Sequence, residues 1–285
     1  MKHGVRLTIW FAAWLLAGAS LAEPPLRAAV VAASTPARDA VVAALAKVPG
    51  VEHVVDAGSA GLLLALGDQS LATACAGSLP VIGVQVGPSA VAHWRGQGCH
   101  VVAIWRHPEP VIQLHVLHAV LPRAHRVGFL ASEDTQSLLP ALRTEAQALG
   151  LELVVGTVDD ASVLPVRLAE VLSRSDALLA LPDPRIYDAD QARLILMASY
   201  RQGKPLVGPD DHWVRAGALA SAYIAAEDVL NEVARIVAAF QRSQVLDTDR
   251  YPPVSVELNA HVARTFSISL PAPSVLEKAV TETSP

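Results

Sequence analysis

The amino-acid sequence predicts an α/β protein with two Rossmann-like lobes, each containing a parallel sheet, joined by a hinge. Short apolar runs that end in Gly, Pro or Asp alternate with amphipathic segments along most of the 285 residues. This alternation is typical of buried parallel strands that are followed by helices. The composition, 52% hydrophobic and 17% charged, is that of a chain that buries large cores, and its length suits two lobes of ordinary domain size.

The clearest strand-to-helix junctions lie between residues 176 and 223. Ala177–Leu181 is predicted as a buried strand that stops before Asp183, and Pro205–Gly208 as the next strand, which stops before Asp210. Right-handed crossovers place the carboxyl ends of parallel strands at one sheet edge, where open α/β folds bind their ligands. We therefore expect the two Asp-bearing loops to border a binding site.

The other elements follow from the same alternation. The remaining predicted strands are Leu26–Ala33, Val51–Val55, Leu62–Leu66, Val81–Val86, Val101–Trp105, Arg126–Ala131, Leu151–Val155, Ala218–Ala222 and Val254–Leu258. The predicted helices are Arg38–Leu45, Ser70–Ala76, Pro110–Leu121, Leu138–Leu149, Val163–Ser173, a helix that begins at Asp188, one turn at Trp213–Gly217, Ala226–Gln241 and Ala260–Thr265. A Pro-rich tail is expected after the last of these helices.

The N-terminus has the three parts of a secretory signal peptide. Lys2 and Arg6 precede the apolar run Leu7–Leu16, and Ser20-Leu21-Ala22 offers small residues at the positions that a signal peptidase reads. A membrane anchor is the alternative, but the run is shorter than the ~20 residues that a spanning helix needs. We expect residues 1–22 to be a signal peptide cleaved after Ala22, and the mature protein to be periplasmic.

Composition and motifs argue against several classes of protein. The net charge of −5 and the aromatic content of 5% disfavour a nucleic-acid partner. The chain has no nucleophile elbow, phosphate loop, dinucleotide fingerprint or zinc-protease motif, so we predict a protein that is not an enzyme and has no cofactor. His115 and His118 could share a helix face, but no carboxylate stands in register with them. We expect no metal site, with a zinc-binding protein as the alternative.

Three phrases carry a resemblance to a known family: DALLALPDP, GKPLVGPDDHWVRAGALASAY and LHAVLPRAHRVGFL. They resemble the periplasmic substrate-binding proteins of ABC transporters, in the group that includes tryptophan and tyrosine binders, and the resemblance covers roughly Val101 to Leu276. It implies a type I periplasmic-binding fold, with lobe 1 at 23–106 and 224–246 and lobe 2 at 107–223 and 247–285. It also implies a monomer that captures a small organic solute, amino-acid-like in such relatives, and passes it to an inner-membrane ABC permease.

Candidate ligand-binding residues are the small polar side chains that follow predicted strands. They are Ser34, Thr35, Asp68, Ser132, Thr135, Asp183, Asp210 and Asp211. Hydroxyls at helix starts can donate to an anionic group, and carboxylates can accept from an ammonium or a hydroxyl. The same residue types also cap helices without binding anything. We expect Asp183 and Asp210 to face Ser34 and Thr35 across a cleft.

Two departures from the family pattern keep other functions open. The loop after Leu62–Leu66 usually offers a small hydroxyl residue in that family, and this chain has Asp68 there; the Pro88 loop lacks the acidic residue often found before proline. One alternative is therefore a docking or sensor subunit of the same fold that has lost its ligand. The other is an exported α/β enzyme in which Asp183 and Asp210 form an acid–base pair.

The chain contains two cysteines, Cys75 and Cys99, both in the predicted lobe 1. An exported protein can pair them, but a disulfide requires a narrow separation of the two Cα atoms that sequence does not reveal. Paired and free cysteines both remain open.

The signal peptide leads to a direct prediction. The mature protein should begin at Glu23, because Ser20 and Ala22 are the small residues that precede it. N-terminal sequencing of the protein recovered from a periplasmic extract checks this, and material that begins at Met1 would contradict it.

Overall fold

The computed structural model describes residues 24–246 and 248–281, so the predicted signal peptide lies outside the described residues. The chain forms two separate sheets, one with five strands and one with six, and helices cover both. All strand pairs but one are parallel. The fold class predicted from the sequence is confirmed.

The first sheet is built from residues 26–105. Its strands are β1 (Leu26–Ala32), β2 (Val51–His53), β3 (Leu62–Leu66), β4 (Val81–Val86) and β5 (Val101–Trp105), and its helices are α1 (Thr35–Leu45), α2 (Asp68–Ala74) and α3 (Pro88–Gly96). The strand order is β2-β1-β3-β4-β5, and every pair is parallel. All five carboxyl ends therefore lie at one edge.

The second sheet takes most of the remaining chain. The helices are α4 (Pro110–Val120), α5 (Glu133–Gln136), α6 (Leu139–Ala148), α7 (Leu164–Arg174), α8 (Ala189–Arg201), α9 (Asp211–Ala216), α10 (Ala226–Ser243), α11 (Ala260–Thr265) and α12 (Pro273–Thr281). The strands are β6 (Arg126–Ala131), β7 (Glu152–Thr157), β8 (Ala177–Leu179), β9 (Leu206–Val207), β10 (Ala220–Ile224) and β11 (Val254–Leu258). Their order is β11-β10-β9-β8-β6-β7, with β11 antiparallel to β10.

Each sheet is buried between two helical layers. In the first, Val233 and Phe240 of α10 pack on Leu64 from one side, while Leu71 of α2 and Val91 of α3 belong to the core on the other side. In the second, α4, α6 and α12 cover one face and α7, α8 and α9 the other. The alternation of apolar strands and amphipathic helices thus produces two independent cores.

The chain passes between the two sheets three times, around residues 106–109, at 225 and around 251–253. The first two passages start at the carboxyl ends of β5 and β10. Before the third, Arg250 bridges to Ile104, and its amide donates to the Ala103 carbonyl. Beside this bridge, the rings of Trp105 and Tyr251 lie 5.9 Å apart. The two sheets are thus joined by three crossing segments of the chain.

Three helices were not predicted from the sequence: α3, the four-residue α5 and α12. Residues 88–96 form α3, where the single fully buried residue is Val91, so the segment has no apolar stripe that sequence periodicity could reveal. The Pro-rich tail that follows α11 contains α12. Leu276 and Val280 of this helix pack into the core beside α4, and this burial stabilises a helix that is weak in isolation.

Among the described residues, no helix combines the length and the apolarity needed to cross a lipid bilayer.

Cys75 and Cys99 form a disulfide, with their Cα atoms 5.4 Å apart. Cys75 caps the C-terminus of α2, and Cys99 lies two residues before β5. The bond therefore joins the helix that follows β3 to the edge strand of the first sheet.

We predict that the mature protein has no titratable thiol until it is reduced. Reduction should lower the free energy of unfolding by roughly 2–4 kcal/mol, because it releases a closed loop of moderate length in the unfolded chain. Thiol titration of the native protein checks the pairing. Urea melts of oxidised wild type, reduced wild type and the double variant Cys75→Ser/Cys99→Ser check the loss of stability. The double variant should match reduced wild type, and two thiols that titrate in native protein would contradict the pairing.

Candidate ligand-binding site

Asp68 connects three loops at the carboxyl edge of the first sheet. It is the first residue of α2, directly after the positive-φ Gly67. Its Oδ1 accepts a hydrogen bond from the Gly87 amide at 2.7 Å, and its Oδ2 pairs with Arg106 at 3.0 Å. Arg106 also donates from Nε to the Gln85 carbonyl at 2.9 Å. The loops after β3, β4 and β5 are thus held together by one carboxylate.

His107 stands at the first passage between the sheets. Burial, with a smaller contribution from the adjacent Arg106, lowers the pKa of His107 to about 4, although Asp210 and Asp68 act in the opposite direction. The imidazole is therefore neutral near pH 7. Asp68 at the edge of the first sheet and Asp210 at the edge of the second thus both act electrostatically on this ring.

Asp210 and Asp211 lie at the carboxyl edge of the second sheet, at the start of α9. Asp210 is the N-cap residue, and its Oδ1 accepts from the Trp213 amide at 3.1 Å. The carboxylate is half-buried, and no cation among the described residues pairs with it. Asp211 pairs through Oδ2 with Arg215 at 2.6 Å, one turn further along α9. Of the two, Asp210 is the one with an oxygen still open to a ligand.

The loop before Asp210 is positioned by tight packing at Gly208. Its φ of +89° is one that side-chain-bearing residues rarely adopt, and a Cβ there would overlap the Ala180 carbonyl oxygen. The Gly208 amide donates to the Ala220 carbonyl at 2.8 Å, and the next peptide bond, to Pro209, is cis. Glycine is therefore required at this position of the loop.

A buried glutamine fixes the same loop from α4. Gln113 is 2% exposed. Its Nε2 contacts the carbonyl oxygens of Pro209 at 3.0 Å and Ala222 at 2.7 Å, while its Oε1 accepts from the Ala222 amide at 3.0 Å. One side chain thus joins α4, the Asp210 loop and β10, and these are the elements that adjoin the first two passages between the sheets.

Ser132, Thr135 and Asp183 form a second, fully buried cluster. The Asp183 Oδ2 accepts from the Ser132 hydroxyl at 2.7 Å and from the Thr135 hydroxyl at 2.9 Å, and its Oδ1 accepts from the Arg185 amide at 3.0 Å. Ser132 and Thr135 also form the capping box of α5. Both hydroxyl hydrogens are donated to the carboxylate, so the cluster joins the loops after β6 and β8.

Aromatic side chains support this cluster. The rings of Tyr187 and Trp213 meet edge to face at 5.6 Å in the core of the second sheet. Burial raises the pKa of Tyr187 well above its usual value, and the nearby Asp183 adds to this effect. Tyr187 and Trp213 therefore pack inside the lobe rather than on the cleft.

Several solved structures are similar to the chain, although no family model and no curated protein matches it. An open, ligand-free substrate-binding protein with adhesive properties from Clostridium difficile aligns with a TM-score of 0.70 at 14% identity, over 87% of this chain and 96% of its own. The ABC domain in complex with L-Trp from Streptococcus pneumonia gives 0.63 at 19% identity, over 89% and 98%. A conserved domain protein from Vibrio cholerae gives 0.61 at 18%, over 90% and 98%.

The chain has the type I periplasmic-binding fold. In this periplasmic-binding fold, the eight predicted site residues separate into groups. Asp68 and Asp210 converge on His107, whereas Ser132, Thr135 and Asp183 bond to one another. Ser34 and Thr35 are exposed at the start of α1 and have no side-chain hydrogen bond within the described residues.

Sequence reasoning missed three residues of this site in the periplasmic-binding fold. Arg106 and His107 directly follow β5, and they were missed because the candidates were restricted to small polar side chains after strands. The signal for Gln113 is weaker: it is a polar residue inside the apolar helix α4. A buried amide of this kind needs several partners, and those partners lie about a hundred residues away in sequence.

The described residues contain no group of three side chains suited to a metal ion. His115 instead pairs with Glu145 of α6 at 2.7 Å. Two surface cavities, of about 360 Å³ beside α7 and about 390 Å³ beside α10, are lined by none of the predicted site residues.

The buried state of His107 predicts a pH-dependent stability. The unfolded state takes up a proton below a pH of about 6.5, whereas the folded state resists it down to about 4, so stability is lost as the pH falls through this window. The loss from this one group is at most about 3 kcal/mol. Urea melts at pH 7 and pH 4.5 check this: His107→Gln should lose less stability on acidification than wild type, while His100→Gln at an exposed site should behave as wild type. Equal losses in all three proteins would contradict the assignment.

Proposed function

We propose that this protein is the exported solute-binding component of an ABC-type transporter. It captures a small organic solute between its two lobes by hinge closure and presents it to an inner-membrane ABC permease, without chemical turnover. In this proposal the mature protein is a periplasmic monomer. Lobe 1 is formed by residues 23–106 and 224–246, and lobe 2 by residues 107–223 and 247–285.

The convergence of two sheet edges on one hinge carries the proposal. The carboxyl ends of β5 and β10 lead directly into passages between the sheets, and Asp68 and Asp210 both act on His107 there. A ligand can favour the closed state only through contacts with both lobes. The open oxygen of Asp210 in lobe 2 and the exposed hydroxyls of Ser34 and Thr35 in lobe 1 meet this requirement. The similar ABC domain crystallised with L-Trp supports a small-molecule role.

Within this site, we assign direct ligand contact to Asp210 and support to Asp183. Asp210 has a free carboxylate oxygen at the edge of the cleft, and Ser34 and Thr35 offer exposed hydroxyls from lobe 1. Asp183 is saturated by neighbours in its own lobe, so it holds the loops in place. Asp211 and Arg215 neutralise one another beside the site.

A docking or sensor subunit without a ligand is the second candidate, because specific contacts favour it. Asp68 uses both oxygens within lobe 1, and the Ser132, Thr135 and Asp183 cluster leaves neither hydroxyl hydrogen free. Both groups of residues would then stabilise the loops without contacting a ligand. An exported enzyme is disfavoured because Asp183, one half of the conceivable acid–base pair, is 2% exposed.

Native mass spectrometry of freshly purified mature protein separates the two candidates. The solute-binding function predicts a bound small molecule that is released unaltered on denaturation, and a smaller radius of gyration by X-ray scattering when that molecule is added back. The docking subunit would be favoured if native spectra show only the mass of the protein itself, and if no fraction of a periplasmic extract lowers its radius of gyration.

Paired substitutions test the two aspartates. Asp210→Asn should weaken binding of the co-purified solute by about tenfold to a hundredfold, because it removes a charged acceptor, while the melting temperature changes little. Asp183→Asn should lower the free energy of unfolding by about 1.5–3 kcal/mol, because it disturbs two buried hydroxyl donors. Calorimetry and thermal melts measure both. A stability loss in Asp210→Asn with unchanged affinity would make Asp210 a helix cap only.

A further inference from the structure

The carboxyl edge of the second sheet is strongly acidic. The segments from the ends of β6, β7, β8 and β9 to the second residue of the helix that follows each strand carry nine carboxylates and one arginine. The carboxylates belong to Glu133, Asp134, Asp159, Asp160, Asp183, Asp188, Asp190, Asp210 and Asp211. That arginine, Arg185, pairs with two residues of α5, and Arg215, one turn into α9, pairs with Asp211. Among the described residues, no lysine or arginine within these segments is unpaired, and the exposed Arg193 lies one turn further into α8.

The helix N-termini at this edge are occupied as well. Asp188 caps α8 at 2.7 Å and Asp210 caps α9 at 3.1 Å, while Asp160 caps the short turn before α7. A helix N-terminus attracts anions through its free amides and its dipole. Here the carboxylates of the chain already satisfy those amides, so a carboxylate on the solute would meet repulsion instead.

At the first passage between the sheets, both basic residues are occupied or uncharged. Arg106 is held by Asp68 at 3.0 Å and by the Gln85 carbonyl at 2.9 Å. Burial lowers the pKa of His107 to about 4, which leaves the ring uncharged at neutral pH. At the start of α1, Pro36 removes one of the free amides, and the exposed Arg38 pairs with its neighbour Asp39 at 3.6 Å.

We propose that Asp68, by holding Arg106, determines the charge selectivity of the cleft, which takes an organic amine and rejects solutes that carry a carboxylate. This inference rests on the proposed solute-binding function. Asp210 is the acceptor for the ammonium, because it is half-buried, has one oxygen free and lies beside the hinge. Ser34 and Thr35 provide neutral donors for the rest of the solute.

Matched pairs of compounds test the inference without knowledge of the natural solute. Each pair is an amino acid and the amine that differs from it by loss of the carboxylate: L-tryptophan and tryptamine, L-tyrosine and tyramine, L-arginine and agmatine, L-ornithine and putrescine. Isothermal titration calorimetry uses the mature protein after unfolding, dialysis and refolding have removed any co-purified solute. We expect at least one amine to bind at least about tenfold more tightly than its parent amino acid.

Two variants assign the selectivity to residues. Asp210→Asn should weaken binding of that amine by at least about tenfold. Asp68→Ser frees Arg106, so it should improve binding of the parent amino acid. The difference in affinity between the amine and that amino acid should therefore become smaller. Glu170→Gln, which removes the exposed ion pair with Arg167 near the C-terminal end of α7, is the matched control and should leave that difference in affinity unchanged.

The inference is overturned if an amino acid binds as tightly as its amine, if none of the amines binds, or if Asp68→Ser leaves the selectivity unchanged. Failure here is distinguishable from failure of the proposed function. A neutral or anionic solute in native mass spectra, with no amine bound by calorimetry, refutes the charge selectivity and leaves solute capture intact. No solute in native spectra and no compound bound refutes both.

Discussion

The buried amide of Gln113 is the interaction on which the geometry of the hinge depends. It bonds to the Asp210 loop and to β10 from a helix that begins just after the first passage between the sheets. A buried amide with several backbone partners admits few alternative arrangements, because each lost partner leaves an unsatisfied polar group. The start of α4, after the first passage, and the end of β10, before the second, are therefore fixed to one another.

The polar residues at the sheet edges divide into rigid and open groups. Ser132, Thr135 and Asp183 satisfy one another away from solvent, and this rigidity keeps two loops of lobe 2 in register. Asp68 does the same for three loops of lobe 1. Asp210 differs because its second oxygen has no partner among the described residues. Rigid surroundings and one open acceptor are the arrangement that a binding site needs for pre-organisation.

Much of this architecture could be predicted from the sequence, and the reasons for the remainder are physical. Apolar runs such as Leu62–Leu66 identify buried strands, so the parallel sheets and the loops at their carboxyl ends follow directly. The distinction between Asp183 and Asp210 does not follow, since both are aspartates in loops after strands and differ in partners distant in the chain. The helix α12 was missed because its stability comes from burial of Leu276 and Val280 against α4, not from its own sequence.

The disulfide makes the lobe 1 half of the site depend on the redox state of its surroundings. Cys75 ends the helix that Asp68 begins, and Cys99 leads into the strand that Arg106 follows. The disulfide thus connects the C-terminal end of α2, which begins at Asp68, to the segment before β5, which Arg106 follows. In a reducing compartment this link does not form. A chain that stays in such a compartment would hold the ion pair of Asp68 and Arg106 with one covalent constraint fewer.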